Sequence, residues 1–114
     1  MNNITTSELL SKIYVVNNNK RIYKNNKILV IDFYADWCQP CKAQETVLKE
    51  LKKEYSMIEF YKVNIEEEYQ LAEIFSIKSL PTVIVFGKDI KTLSGFTQKQ
   101  KIEEIIKKQI EIFV

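Results

Sequence analysis

Cys38 and Cys41 are the chain's only cysteines, three positions apart in Trp37-Cys38-Gln39-Pro40-Cys41-Lys42. A disulfide across two intervening residues closes almost no loop and gains little chain entropy, so the pair suits reactivity better than stapling. The chemistry it offers is thiol–disulfide exchange. Half a zinc site reads the same way, but a four-ligand site needs two further Cys or His residues. The chain contains neither, so only a metal site completed by another molecule stays open. The lack of histidine also removes Cys-His and Ser-His catalysis, most zinc-hydrolase chemistry and haem ligation by histidine.

The flanking sequence places the pair at a strand-to-helix junction. Residues 27–34 (KILVIDFY) are apolar, β-branched and aromatic, as a strand buried on both faces requires. A helix is predicted from Gln39 to about Tyr55, with Pro40 tolerable in its first turn because the missing N–H would have had no partner there. Its inward stripe is expected at Ala43, Val47, Leu48 and Leu51. Cys38 then sits at a helix N-terminus, where the macrodipole and unpaired N–H groups favour a thiolate. Cys38 is the expected nucleophile; Cys41, one turn further in, is the expected resolving thiol.

Asp32 interrupts the apolar strand. A buried carboxylate is costly as the anion, so its pKa should be raised. It is either a tolerated polar residue or, since its strand leads into the cysteine loop, a proton acceptor for Cys41. Lys62, in the neighbouring strand candidate, is either its charge partner or a lysine reaching to solvent.

The elements that must hold these residues follow from periodicity. Ile4 to about Val16 is predicted as a helix with Thr5, Thr6 or Ser7 as N-cap. The Asn-rich residues 17–26 read as a loop or frayed helix end. A strand at Ile58–Asn64, a helix over roughly Glu67–Phe75, strands at Pro81–Phe86 and Ile90–Leu93 around a turn at 87–89, and a helix over about Thr97–Phe113 complete the order. The last helix spaces Ile102, Ile105, Ile106 and Ile110 along one face. Strands alternating with helices imply parallel pairing, and the closing hairpin adds antiparallel pairing. The expected fold class is α/β, a three-layer domain with a central mixed sheet and helices on both faces.

The 114 residues suit a single domain, 1–114. With 17 basic and 15 acidic residues dispersed along the chain, no basic patch supports nucleic-acid binding. The longest apolar run, Ile28 to Ala35, is broken by Asp32 and far short of the roughly 20 residues a membrane span needs. No stretch resembles a signal peptide. A cytoplasmic or matrix-type protein is expected, with an organellar or secreted one open if a leader was removed.

The stretch ILVIDFYADWCQPCK at 28–42 resembles the thioredoxin family signature. KVNIE at 62–66 is similar to the family's third strand, SLPTVIVF at 79–86 to its cis-proline segment, and Gly95 to the glycine before its last helix. The resemblance runs from about residue 27 to the end and implies a thioredoxin fold. It implies Cys38 as nucleophile, Cys41 as resolving cysteine, Asp32 as buried acid/base and Lys62 beside it. Pro81 would form a cis peptide, pack against the disulfide and keep metal from the thiols. Trp37, Ile65, Leu80 and Gly95 would form the apolar surface on which partner proteins dock. Taken one at a time, Trp37 also reads as a half-buried aromatic, Ile65 and Leu80 as core, and Pro81 as a strand-start proline. The chain departs from the family in having Gln39-Pro40 where Gly-Pro is commonest, which bears on redox poise. It also has Thr46 where a helix-kinking proline is frequent.

The resemblance implies a protein-disulfide reductase that needs no bound cofactor or metal and works as a monomer. Reducing equivalents would come from NADPH through a thioredoxin reductase. Two other readings remain at this level: a thioredoxin-fold adaptor in a larger complex, and a disulfide oxidase or isomerase of an oxidising compartment.

Overall fold

A computed structural model describes residues 1–16, 20–23 and 27–113. The chain runs β1 (Asn2–Asn3), α1 (Thr6–Leu10), β2 (Ile13–Val16), β3 (Lys20–Tyr23), β4 (Leu29–Tyr34), α2 (Gln39–Glu54) and β5 (Glu59–Asn64). It continues α3 (Tyr69–Ile74), β6 (Thr82–Phe86), β7 (Ile90–Ser94) and α4 (Lys99–Phe113). Among the described residues the main sheet has the order β1-β5-β4-β6-β7. β4 lies parallel to β5 and antiparallel to β6, and the β6–β7 hairpin closes one edge. The expected mixed sheet is present.

The period-2 geometry of β4 decides which side each residue serves. Leu29, Ile31 and Phe33 join Leu9 of α1, Leu71 of α3, Val63, Ile84 and Phe86 in one buried cluster. Val30, with Ile28, packs instead on Leu48 and Leu51 of α2, Ile102 and Ile106 of α4, Val83 and Val85. Helices therefore cover both faces. Asp32, two residues after Val30, points to the α2 side, and this places its carboxyl near the cysteines.

The N-terminal segment differs from its predicted helix. Thr5 does cap α1, with a reciprocal box in which Glu8 N–H donates to Thr5 Oγ1 at 3.2 Å and Thr5 N–H donates to Glu8 Oε1 at 3.0 Å. The helix stops at Leu10, however, and Ile13–Val16 pairs antiparallel with Lys20–Tyr23. The apolar residues at helical spacing were outweighed by the β-branched and aromatic run Ile13-Tyr14-Val15-Val16, which favours extended backbone. Lys20–Tyr23, expected in a loop or frayed helix end, is a strand; residues 17–19 and 24–26 of that expectation lie outside the described residues. A short first strand, Asn2–Asn3, pairs parallel with β5.

On α2 the inward stripe is shifted. Leu48 and Leu51 are buried as expected and Val47 partly so, but Ala43 is exposed and Gln44 is buried in its place. Gln44 is tolerated there because both ends of its amide are satisfied. Its Nε2 donates to the Thr97 carbonyl at 3.1 Å, and Thr97 N–H donates to its Oε1 at 2.8 Å.

Candidate active site

β4 ends at Tyr34, and the chain turns through Ala35-Asp36-Trp37 into α2. Cys38 N–H donates to the Ala35 carbonyl at 3.1 Å, closing the turn. Cys38 is the N-cap residue of α2, in extended backbone, with no side-chain cap bond; Gln39 and Pro40 begin the helix. Its sulfur thus stands at the helix end where N–H groups lack intrahelical partners, a setting that stabilises a thiolate. Cys38 and Cys41 are joined as a disulfide with Cα atoms 5.3 Å apart.

Both cysteines are buried, each 4% exposed, so burial in the oxidised state does not distinguish them. Their surroundings do. They share an apolar cluster with Ala35, against which Tyr34, Ile65 and Leu80 pack, but Cys41 also lines a cavity of about 170 Å³ with Asp32, Glu45 and Lys62. Asp32 is 1% exposed, and its Oδ1 has no hydrogen-bond partner. Burial, and secondarily the Glu45 charge, push the Asp32 carboxyl up to about 7, against the opposing pull of Lys62. A group poised near neutrality beside a thiol can accept its proton.

Lys62 stands opposite Asp32 in the β4–β5 ladder, yet its ammonium pairs elsewhere. Nζ donates to Glu45 Oε2 at 2.8 Å and lies 5.2 Å from the centre of the Tyr34 ring. The expected charge partner of Asp32 is therefore its neighbour but not its ion pair. The bond to Glu45 raises the Lys62 pKa, and the same bond holds the Glu45 carboxyl below its usual range. Glu45 escaped the sequence reading, although its position four residues after Cys41 puts it on the same helix face.

The second rim is built around Pro81. The Leu80–Pro81 peptide is cis, Pro81 is buried, and its carbonyl accepts the Gly95 N–H at 2.8 Å. Gly95 adopts φ +78°, a left-handed conformation that favours glycine. The Gln44–Thr97 pair holds the chain two residues further on. Trp37 is 70% exposed rather than half-buried, and Phe96, which the sequence reading passed over, is 47% exposed beside Gly95. Gln39 and Pro40 are exposed. Thus Ile65 and Leu80 gather at the disulfide, Asp32 and Lys62 line the cavity that Cys41 shares, and Gly95 is tied to Pro81. Among the described residues no group of three or more Cys, Asp or Glu is placed to hold a metal ion.

Comparison with known proteins agrees with this geometry. The family model described as Thioredoxin matches residues 11–108. A thioredoxin of Borreliella burgdorferi is 35% identical over 109 residues, covering 91% of this chain and 92% of that protein. The X-ray structure of Fasciola hepatica thioredoxin superposes with a TM-score of 0.76 at 28% identity, covering 96% of this chain and 99% of the other. Chloroplastic thioredoxin z shares the fold at a TM-score of 0.80 and 23% identity, over 97% of this chain and 95% of that one. Fold and sequence likeness agree: the chain belongs to the thioredoxin family of protein-disulfide oxidoreductases.

Proposed function

We propose a division of labour for this reductase in which Cys38 attacks, Cys41 resolves and Asp32 moves the proton. The Cys38 thiolate attacks a disulfide of a partner protein, forming a mixed disulfide and releasing one substrate thiolate. Cys41 then gives its proton to the Asp32 carboxylate and attacks Cys38. The Cys38–Cys41 bond forms, the bond from Cys38 to substrate breaks, and the electron pair leaves on the substrate sulfur, which takes up a proton. The substrate is reduced and the protein oxidised. The observation that carries this reading is the asymmetry of the pair: Cys38 caps α2, whereas Cys41 opens onto the cavity that holds Asp32.

The exchange passes electrons between sulfur atoms and needs no bound cofactor. A thioredoxin reductase drawing on NADPH recycles Cys38–Cys41, and disulfide-bearing proteins are the substrates. They dock on Trp37, Ile65, Leu80 and Gly95, with Pro81 shaping the rim and Gln39-Pro40 setting the redox poise. The exposure of Trp37 and the Pro81–Gly95 hydrogen bond support this rim as a docking surface. The chain acts as one domain, 1–114, a monomer in the cytoplasm. Among the described residues no helix is long and apolar enough to cross a membrane. Turnover of insulin disulfides with dithiothreitol as reductant tests the reading. Catalysis is expected, and a protein inert in that assay would act as a docking adaptor instead.

A further inference from the structure

The cavity beside Cys41 contains an arrangement that the two-cysteine scheme leaves unexplained. Asp32 and Lys62 are register partners on adjacent parallel strands, so the ammonium would ordinarily find its anion in Asp32. It does not. Asp32 Oδ1 is buried without a hydrogen bond, while Lys62 Nζ sits 2.8 Å from Glu45 Oε2. Glu45 lies one helical turn after Cys41 and lines the same cavity.

We propose that Glu45 is a positioning residue for release of the mixed disulfide: it holds Lys62 in an ion pair, off Asp32, leaving the Asp32 carboxyl free to take the Cys41 proton. This rests on, and deepens, the assignment of Asp32 as proton acceptor. The chemical reason is basicity. A carboxylate in its ordinary range near 4 is a poor base for a thiol in the range of about 8.5. An ion pair to Lys62 would stabilise the Asp32 anion and weaken it further as a base. Glu45 counters this twice, by occupying the ammonium and by placing a second negative charge near Asp32.

The other charges around the cavity are accounted for. Exposed Asp36 and Lys42 line it, as does Tyr34, over whose ring the Lys62 ammonium rests. Lys49 and the Met1 amino group act on Glu45 as further positive charges. The ion pair keeps Glu45 ionised and Lys62 protonated while Asp32 titrates. Asp32 is thus the member of the trio that changes charge near neutral pH.

The test follows the Asp32 carboxyl carbon by NMR across pH in the oxidised parent, Glu45→Gln and Lys62→Gln proteins, alongside the pH dependence of mixed-disulfide release. Glu45→Gln should move the Asp32 midpoint toward acid by on the order of one pH unit, since one anion is lost and Lys62 is freed. Lys62→Gln should move it toward alkali, and the double variant should fall between the two. The rate of release should shift with the midpoint, while capture by Cys38 stays unchanged. An Asp32 midpoint unmoved or raised in Glu45→Gln overturns the proposal. So does a shifted midpoint that the release rate ignores, which would also remove Asp32 from the proton transfer. Failure of the reductase reading itself is seen separately, as a parent protein that does not reduce insulin.

Discussion

Gln44 and Thr97 exchange two hydrogen bonds, at 2.8 and 3.1 Å, across 53 positions of sequence. They lock the active-site helix to the segment that presents Gly95 and Phe96. Gln44 is buried and Thr97 partly so, so removing the amide strands two backbone groups that water reaches only in part. Gln44→Leu should cost up to about 4 kcal/mol, from two backbone groups at about 1–3 kcal/mol each less about 2 kcal/mol gained in apolar burial. It should also raise KM for protein disulfides more than it lowers kcat, because the rim loosens while the sulfurs stay in place. Urea melts and insulin-reduction kinetics check the two halves; an unchanged stability would show that the clasp contributes nothing.

Asp32 couples stability to pH. A carboxyl raised from 3.8 to about 7 binds its proton more tightly in the folded than in the unfolded chain. The contribution of Asp32 to stability is then greatest below about pH 4, declines as pH rises toward about 7, and levels off above it. The decline amounts to about 4 kcal/mol. Asp32→Asn should flatten this dependence and raise stability at pH 8, while slowing release of the mixed disulfide by about 10- to 100-fold. Denaturant midpoints between pH 4 and 9 and single-turnover kinetics measure both; a loss of stability at pH 8 would point to a structural carboxylate.

Substitution of each cysteine should give unequal products. Cys41→Ser leaves a nucleophile with no resolving thiol, so substrates should accumulate as adducts on Cys38 that dithiothreitol releases. Cys38→Ser should capture little, because Cys41 lacks the helix-end position. In the reduced parent, Cys38 should alkylate at least about tenfold faster, because its place at the α2 N-terminus favours the thiolate. Equal trapping or equal iodoacetamide rates would overturn the assignment.

The two glycines should respond differently to Ala. At Gly95 an added Cβ meets nothing within 4 Å, so the cost is the left-handed backbone alone, about 1–2 kcal/mol. At Gly87 the Cβ would collide with the Gln109 side chain, whose Oε1 accepts from Asp89 N–H at 3.3 Å. Gly87→Ala should displace that glutamine and cost more than Gly95→Ala, and thermal melts of the two variants compare them directly. Insulin reduction should suffer at Gly95, on the proposed docking rim, and not at Gly87.

Much of the architecture is local in origin. β4, α2, β5 and α4 were legible because long apolar runs and helical periodicity are written in the local sequence. The cysteine spacing, the Pro40 start of α2 and the intrusion of Asp32 into a buried strand were enough to name the chemistry. Residues 13–16 misled because apolar residues at helical spacing also lie in a β-branched run, and strand pairing with Lys20–Tyr23 decided between them. Ala43 and Gln44 misled because apolar character stands in for burial only until a distant backbone, here Thr97, offers an amide both its bonds.

What the amino-acid sequence by itself determined was which groups are present: two thiols one helical turn apart, a carboxyl within an apolar strand, and a lysine on the next strand. Which of them pair was decided only by tertiary structure. The ladder brings Lys62 level with Asp32, but α2 crosses the same face and presents Glu45 at 2.8 Å. An ion pair goes to the anion that can bond with least desolvation, and partly exposed Glu45 offers that where buried Asp32 does not.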